Sequence, residues 1–219
     1  MTMATKLEAI WKECTGDLPR AVTESWWTNI VEKYSEESRK FHNLQHLEDK
    51  MTHFESVKSN LKNPKAVALA IIFNYYEYDP KSVDCETRNI AMFDKFAEDA
   101  EIPNDSQVHQ EVVSLLQAHA THSTDEHKTG GMFGSEDHHY FLDIDMTPLG
   151  GEPEDYALYS SKVQQEYGPM PANQYRTFRL RVLETFLMIP NIFATKEFRE
   201  KFEEQARLNI AKEVASLKA

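Results

Sequence analysis

The sequence predicts an all-α protein, and three observations carry that prediction. Apolar residues recur at helical spacing in segment after segment of the 219-residue chain. Strand-type alternation is not sustained anywhere. Only 7 glycines and 9 prolines are present, too few for a linker-rich or disordered chain.

The elements follow in order. Residues 4–14 read as a short opening helix. Pro19 suits the first turn of a second helix that runs to Tyr34 and carries Trp26 and Trp27. A third covers about 39–61. Asn63 and Pro64 make a cap and first-turn start for a fourth, whose AVALAIIF run continues to Tyr78 before Asp79-Pro80 stops it. A fifth covers 83–100 and a sixth 104–122. Residues 123–135, with Gly130, Gly131 and Gly134, read as a loop. A short helix carrying Asp143 and Asp145 ends near Gly150-Gly151, and helices at 153–167, 171–189 and 196–217 follow.

Length and composition fit one domain over residues 1–219, large enough to bury a core without disulfides. The net charge of −12 argues against a nucleic-acid backbone binder and reads as a solvated surface. Cys14 and Cys85 sit in no metal or redox spacing and read as two isolated thiols. The first residues hold no apolar signal core, and the longest apolar run, Ala66 to Phe73, is too short to span a bilayer. These points predict a cytoplasmic protein with no membrane and no nucleic-acid partner; they leave the oligomeric state open.

Nine histidines are the first chemical clue. His42 and His46 lie four apart and His119 and His122 three apart, so each pair shares a helix face if its segment is helical. Asp143 and Asp145 form an Asp-x-Asp pair. Imidazoles and carboxylates converging from several helices are how helical folds build metal sites. The same spacings also suit packed or surface histidines, and Asp143 also suits a capping role. His127 and the His138-His139 pair, in or near the glycine-rich segment, are expected to face solvent.

Several blocks, in order along most of the chain, resemble one family. They are Tyr34-Ser-Glu-Glu-Ser-Arg-Lys-Phe-His-Asn-Leu-Gln-His-Leu; AIIFNYYEYDP from Ala70 to Pro80; Asp84-Cys85-Glu86; Leu116-Gln-Ala-His-Ala-Thr-His; and Phe141-Leu-Asp-Ile-Asp-Met-Thr-Pro-Leu-Gly. The stretch from Glu166-Tyr167 through Arg181-Val182-Leu183 to Ala206-Arg207-Leu208-Asn209 matches in character. Together they resemble the predicted metal-dependent phosphohydrolases of the HD superfamily. The resemblance implies an HD-domain-like helical bundle.

Carried over by position, the family's metal set implies His46 as first ligand and Asp145 as last. Its central His-Asp pair falls on Asn74 and Tyr75. Asn offers a neutral carbonyl, and a phenol with an ordinary pKa of about 10 is protonated at neutral pH. A set shifted to His46, His122 and Asp145 can hold at most one ion, with Mn, Fe, Mg or Zn as the alternatives; His42, Glu77, Glu86, His119 and Asp143 are further candidates. The expectation is therefore a weak metal or none.

Two uses of such a site follow. The first is a metal-free small-molecule pocket, or an inactive form. His46, Tyr75, His122 and Asp145 would supply acid–base chemistry there, with His42, Asn74, Tyr76, Tyr78, Glu86 and His119 around the ligand. Tyr75 and Tyr76 filling the space of lost metals is the plain alternative. The second use is a metal-dependent phosphohydrolase acting on a phosphate ester or nucleotide through a rebuilt site. A non-catalytic interaction protein is the third reading, on the amphipathic C-terminal helix. No dinucleotide, P-loop or serine-elbow motif is present.

Overall fold

The computed structural model describes residues 5–121, 123–168 and 170–219. The chain is all-α: no strand forms among the described residues, and an isolated bridge joins Gly134 to Thr195. Two compact units are present, residues 1–121 and 122–219.

The first unit holds α1 (Lys6–Thr15), α2 (Arg20–Tyr34), α3 (Leu44–Val57), α4 (Pro64–Phe73), α5 (Cys85–Asp99) and α6 (Gln107–Thr121). Helix α4 is its centre. Every residue from Ala66 to Phe73 is buried, as a helix apolar on all sides must be. It packs against α1, α3, α5 and α6. Its start follows the sequence: Pro64 occupies the first turn and Asn63 Oδ1 accepts the Ala66 amide at 3.2 Å.

Helix α4 ends five residues before the expected Tyr78. The carbonyls beyond its last turn are taken by side chains instead of by a continued helix. Arg39 donates to the carbonyls of Tyr75 and Tyr76 at 2.7 Å each, and Asn89 Nδ2 donates to those of Asn74 at 2.6 Å and Glu77 at 3.2 Å. The same arginine bears on the late start of α3. Residues 35–43 form turns, Arg39 reaches the His42 carbonyl at 3.3 Å, and Asn43 Oδ1 caps the helix through the His46 amide.

At its other end α5 closes on Glu101, whose φ of 57° lies in the left-handed region that favours glycine. The Ile102 amide returns to the Ala97 carbonyl at 2.8 Å, which completes the turn.

The second unit holds α7 (Asp125–Lys128), α8 (Asp137–Met146), a 3-10 turn at Thr147–Gly150, α9 (Pro153–Glu166), α10 (Ala172–Met188) and α11 (Lys196–Lys218). The segment expected to be a plain loop therefore contains the short helix α7. The 3-10 turn lies on α11 so closely that a Cβ at Gly150 would stand 2.6 Å from Phe202 Cβ. Asn209 Nδ2 holds the turn by donating to the carbonyls of Leu149 and Gly151. A buried Arg179–Glu213 pair, joined by Tyr156 and Ser160, ties α9, α10 and α11 together.

Candidate functional site

In the first unit, the turn after α4 and the turn before α3 bring four of the expected site residues together. The His42 ring lies 4.5 Å from that of Tyr75 and 4.3 Å from that of Tyr78. The Tyr75 hydroxyl is 3.3 Å from His119 Nε2, on the last turn of α6. All four residues are half-buried, so the cluster is partly exposed.

Arg39 sets this geometry. Its guanidinium is buried and bonds the backbone carbonyls of His42, Tyr75 and Tyr76, and it lies 4.9 Å from the Tyr34 ring. One side chain thus holds the two ring-bearing turns in register. Asn89 performs the matching task on the far side of the turn, accepting the Glu77 amide at 2.6 Å.

The remaining first-unit candidates are placed differently. His46 is buried in the first turn of α3, its ring 4.2 Å from Phe41 and 5.6 Å from His42. Asn74 is buried at the end of α4, and its Nδ2 has no hydrogen-bond acceptor among the described residues. Tyr76 turns into the core against Trp26 and Phe73. There its phenol is pushed above the ordinary range by burial and, next, by Glu77. Glu77 pairs with Lys33 at 3.3 Å. Glu86 is half-buried in the first turn of α5 and makes no hydrogen bond or ion pair with the described residues. His122 lies outside the described residues. Asp145 lies in the second unit on α8, half-buried.

Lys50 is the residue the sequence reading missed. It is 2% exposed, and its ammonium stands 4.5 Å from the centre of the Tyr75 ring, a cation–π contact. The available signal was its position. Lys50 falls four residues after His46 and four before Phe54, on the stripe of α3 that otherwise buries Leu47, Met51 and Val57.

The metal set implied by the resemblance does not fit these residues. Among the described residues no three His, Cys, Asp or Glu side chains are gathered as a metal-binding group. Where the central His-Asp pair would stand, the chain presents an amide and a phenol. A buried ammonium, Lys50, stands against the Tyr75 ring, and a cation there repels a dication.

The second unit overturns one expectation. His127 and His139 do not face solvent; they are 2% and 4% exposed, and His138 is half-buried. Each buried ring reaches back to cap its own helix. His127 Nδ1 accepts the Thr124 amide at 2.9 Å, and His139 Nδ1 accepts the Glu136 amide at 3.1 Å. This is a capping box with imidazole in place of the usual Glu or Gln. The far nitrogens then face carboxylates: His139 Nε2 lies 2.9 Å from Glu126, and His127 Nε2 4.0 Å from Asp143.

Asp143 is fully buried. It accepts the amides of Ala194 and Thr195 at 2.8 and 2.7 Å and the Thr195 hydroxyl at 2.7 Å. Its role is to tie α8 to the segment entering α11. Burial pushes its carboxyl up to about 7 against the pull of Thr195 and Ala194. Burial also pushes His127 down to about 4, helped by His139 and Arg199.

No protein-family model, curated protein or solved structure matches the chain.

Proposed function

We propose that this chain is an HD-type helical protein that binds a small molecule at the Tyr75 cluster and acts there, without a metal, through acid–base chemistry. The observation that carries the reading is the 3.3 Å contact between the Tyr75 hydroxyl and His119 Nε2. A phenol bonded to an imidazole is a proton-transfer pair, since either group can hold the shared proton. The packed rings of His42, Tyr75 and Tyr78 make an aromatic wall of the kind that lines small-molecule sites. The Lys50 ammonium lies 4.5 Å from the centre of the Tyr75 ring and helps to fix that ring beside His119. Arg39 is a positioning residue: it touches backbone carbonyls and fixes where His42 and Tyr75 stand.

The test is a fragment screen by NMR on protein labelled at histidine and tyrosine. Ligands of this site shift the His42, His119 and Tyr75 signals together. Tyr75→Phe keeps the ring and removes the proton, so it leaves binding within about threefold while it lowers turnover of any substrate found by at least about a hundredfold. A saturating screen that moves none of the three signals refutes the reading. Elemental analysis of protein made with Mn, Fe, Zn and Mg present checks the metal-free part, and near-stoichiometric metal would overturn it.

A further inference from the structure

We propose that the groove between α1 and α2 is a second small-molecule site, which takes an uncharged, planar aromatic ligand. The groove has a volume of about 580 Å³, within the range of small-molecule sites. Two of the chain's three tryptophans, Trp11 and Trp27, line it, with Leu18 on the link between the helices. None of its lining residues belongs to the Tyr75 cluster.

The two indoles are held differently. Trp11 is only 2% exposed; its Nε1 donates to the Thr23 carbonyl at 3.2 Å, and its ring packs on Phe96 at 5.3 Å. It is a fixed wall. Trp27 is half-buried, with its ring 6.3 Å from that of Trp11 and the two planes 28° apart. Indole surface left uncovered beside a fixed indole keeps an unfavourable hydration that a further aromatic ring would relieve.

The polar groups of the lining select the ligand. Thr15, Thr23 and Thr28 donate their hydroxyls to the carbonyls of Trp11, Arg20 and Glu24 at 2.7, 3.0 and 3.1 Å. Lys12 pairs with Glu8 at 2.6 Å, and Arg20 with Glu24 at 2.7 Å. The charged lining is therefore neutral, with each cation matched by a carboxylate. A charged ligand must break one of these pairs or enter the groove without a counter-charge. A flat apolar ring covers the indoles and disturbs none of them. The short link 16–19 explains a gap at this place. It does not explain two indoles walling a gap whose charges are all matched.

The experiment titrates indole into the full chain and follows the Trp11 and Trp27 ring N–H signals by NMR. Indole-3-acetate and tryptamine carry the same ring with a negative and a positive charge. Indole shifts the Trp27 signal saturably, and each charged analogue binds at least about fivefold more weakly. Trp27→Ala weakens indole binding about tenfold or more. Glu24→Gln leaves Arg20 unmatched and moves the preference about fivefold towards indole-3-acetate; Lys12→Gln leaves Glu8 unmatched and moves it as far towards tryptamine. Glu24 and Lys12 are exposed, so both variants keep the fold and stand whether or not Trp27→Ala does. Phe178→Ala, an exposed aromatic outside the groove, changes the affinity less than twofold. No saturable Trp27 shift up to about 10 mM indole overturns the proposal. Charged analogues that bind the native chain as tightly as indole do the same, as does an unchanged preference in the Glu24 and Lys12 variants. Equal weakening by Phe178→Ala also overturns it, because it would mean diffuse adsorption to exposed rings.

Discussion

His127→Gln separates two buried groups whose titrations oppose each other. Glutamine is a standard residue at this capping position, so its side-chain carbonyl takes over the Thr124 amide without an ability to protonate. In the native chain His127 is held near 4 by burial, with His139, Arg199 and Lys128 acting in the same direction and Glu126 against them. The unfolded chain carries the ordinary value of 6.5. A depressed folded pKa means that the unfolded state takes up the proton first. The native state therefore loses stability as pH falls from about 6.5 towards 4. The shift of about 2.5 units corresponds to about 3 kcal/mol. Asp143 acts the other way. Its folded value of about 7 against 3.8 means that the native state holds the proton first, so its contribution is complete below 3.8 and is lost as pH rises through 7. In the native protein the two nearly cancel between pH 4 and 6.5. The assay is hydrogen exchange of the Ala194 and Thr195 amides, both bonded to Asp143, measured from pH 7 to pH 4 in the native chain and the variant. Subtracting one from the other leaves only His127. The variant should gain about 3 kcal/mol of opening free energy relative to the native chain over that range. A difference that stays within about 1 kcal/mol would show that burial does not hold His127 neutral.

Three further substitutions test the packing. Arg39→Met leaves the buried carbonyls of Tyr75 and Tyr76 without donors and should cost about 3 kcal/mol, read by urea unfolding with tryptophan fluorescence, since all three tryptophans lie in the first unit. Glu101→Gly relieves the left-handed position and should stabilise that unit by about 1 kcal/mol in the same assay. Gly150→Ala forces a methyl to within 2.6 Å of Phe202 and should cost about 2 kcal/mol, seen as faster exchange of the α11 amides.

The sequence showed most of the helices because each is written locally. The Ala66–Phe73 run could only be a buried helix, and Asn63-Pro64 announced its start. The places where the reading failed are set by side chains acting across the chain. Arg39 meets Tyr75 and Tyr76 over 36 and 37 positions, and Asn89 meets Asn74 over 15. No local pattern announces either bond, so the ends of α3 and α4 were misjudged. His127 and His139 were misread for a related reason. A glycine-rich neighbourhood signals a loop, and the signal that an imidazole folds back as a cap is only Thr124 or Glu136 three residues before it. The candidate site was legible in its rings, His42, Tyr75, Tyr78 and His119. Its buried charge was not, because Lys50 on an apolar stripe reads as a surface residue until the stripe is known to be covered.

That lysine changes what introducing the His-Asp pair implied by the resemblance would do. Taken alone, Asn74→His with Tyr75→Asp supplies two side chains able to bind a metal. Yet the Tyr75 ring now lies against the Lys50 ammonium at 4.5 Å. An aspartate introduced there meets a buried cation first and pairs with it. At an effective dielectric of about 20, a cation and a carboxylate about 4 Å apart attract by roughly 4 kcal/mol, and the same ammonium repels a dication. The double variant should therefore hold well under one metal ion per chain. Adding Lys50→Met frees the new carboxylate and removes the repulsion, so the triple variant should hold clearly more metal by elemental analysis. Equal metal in the two variants would mean that Lys50 does not guard the site. High metal in the double variant would mean that the ammonium swings away, and the metal-free reading of Tyr75 would lose its electrostatic basis.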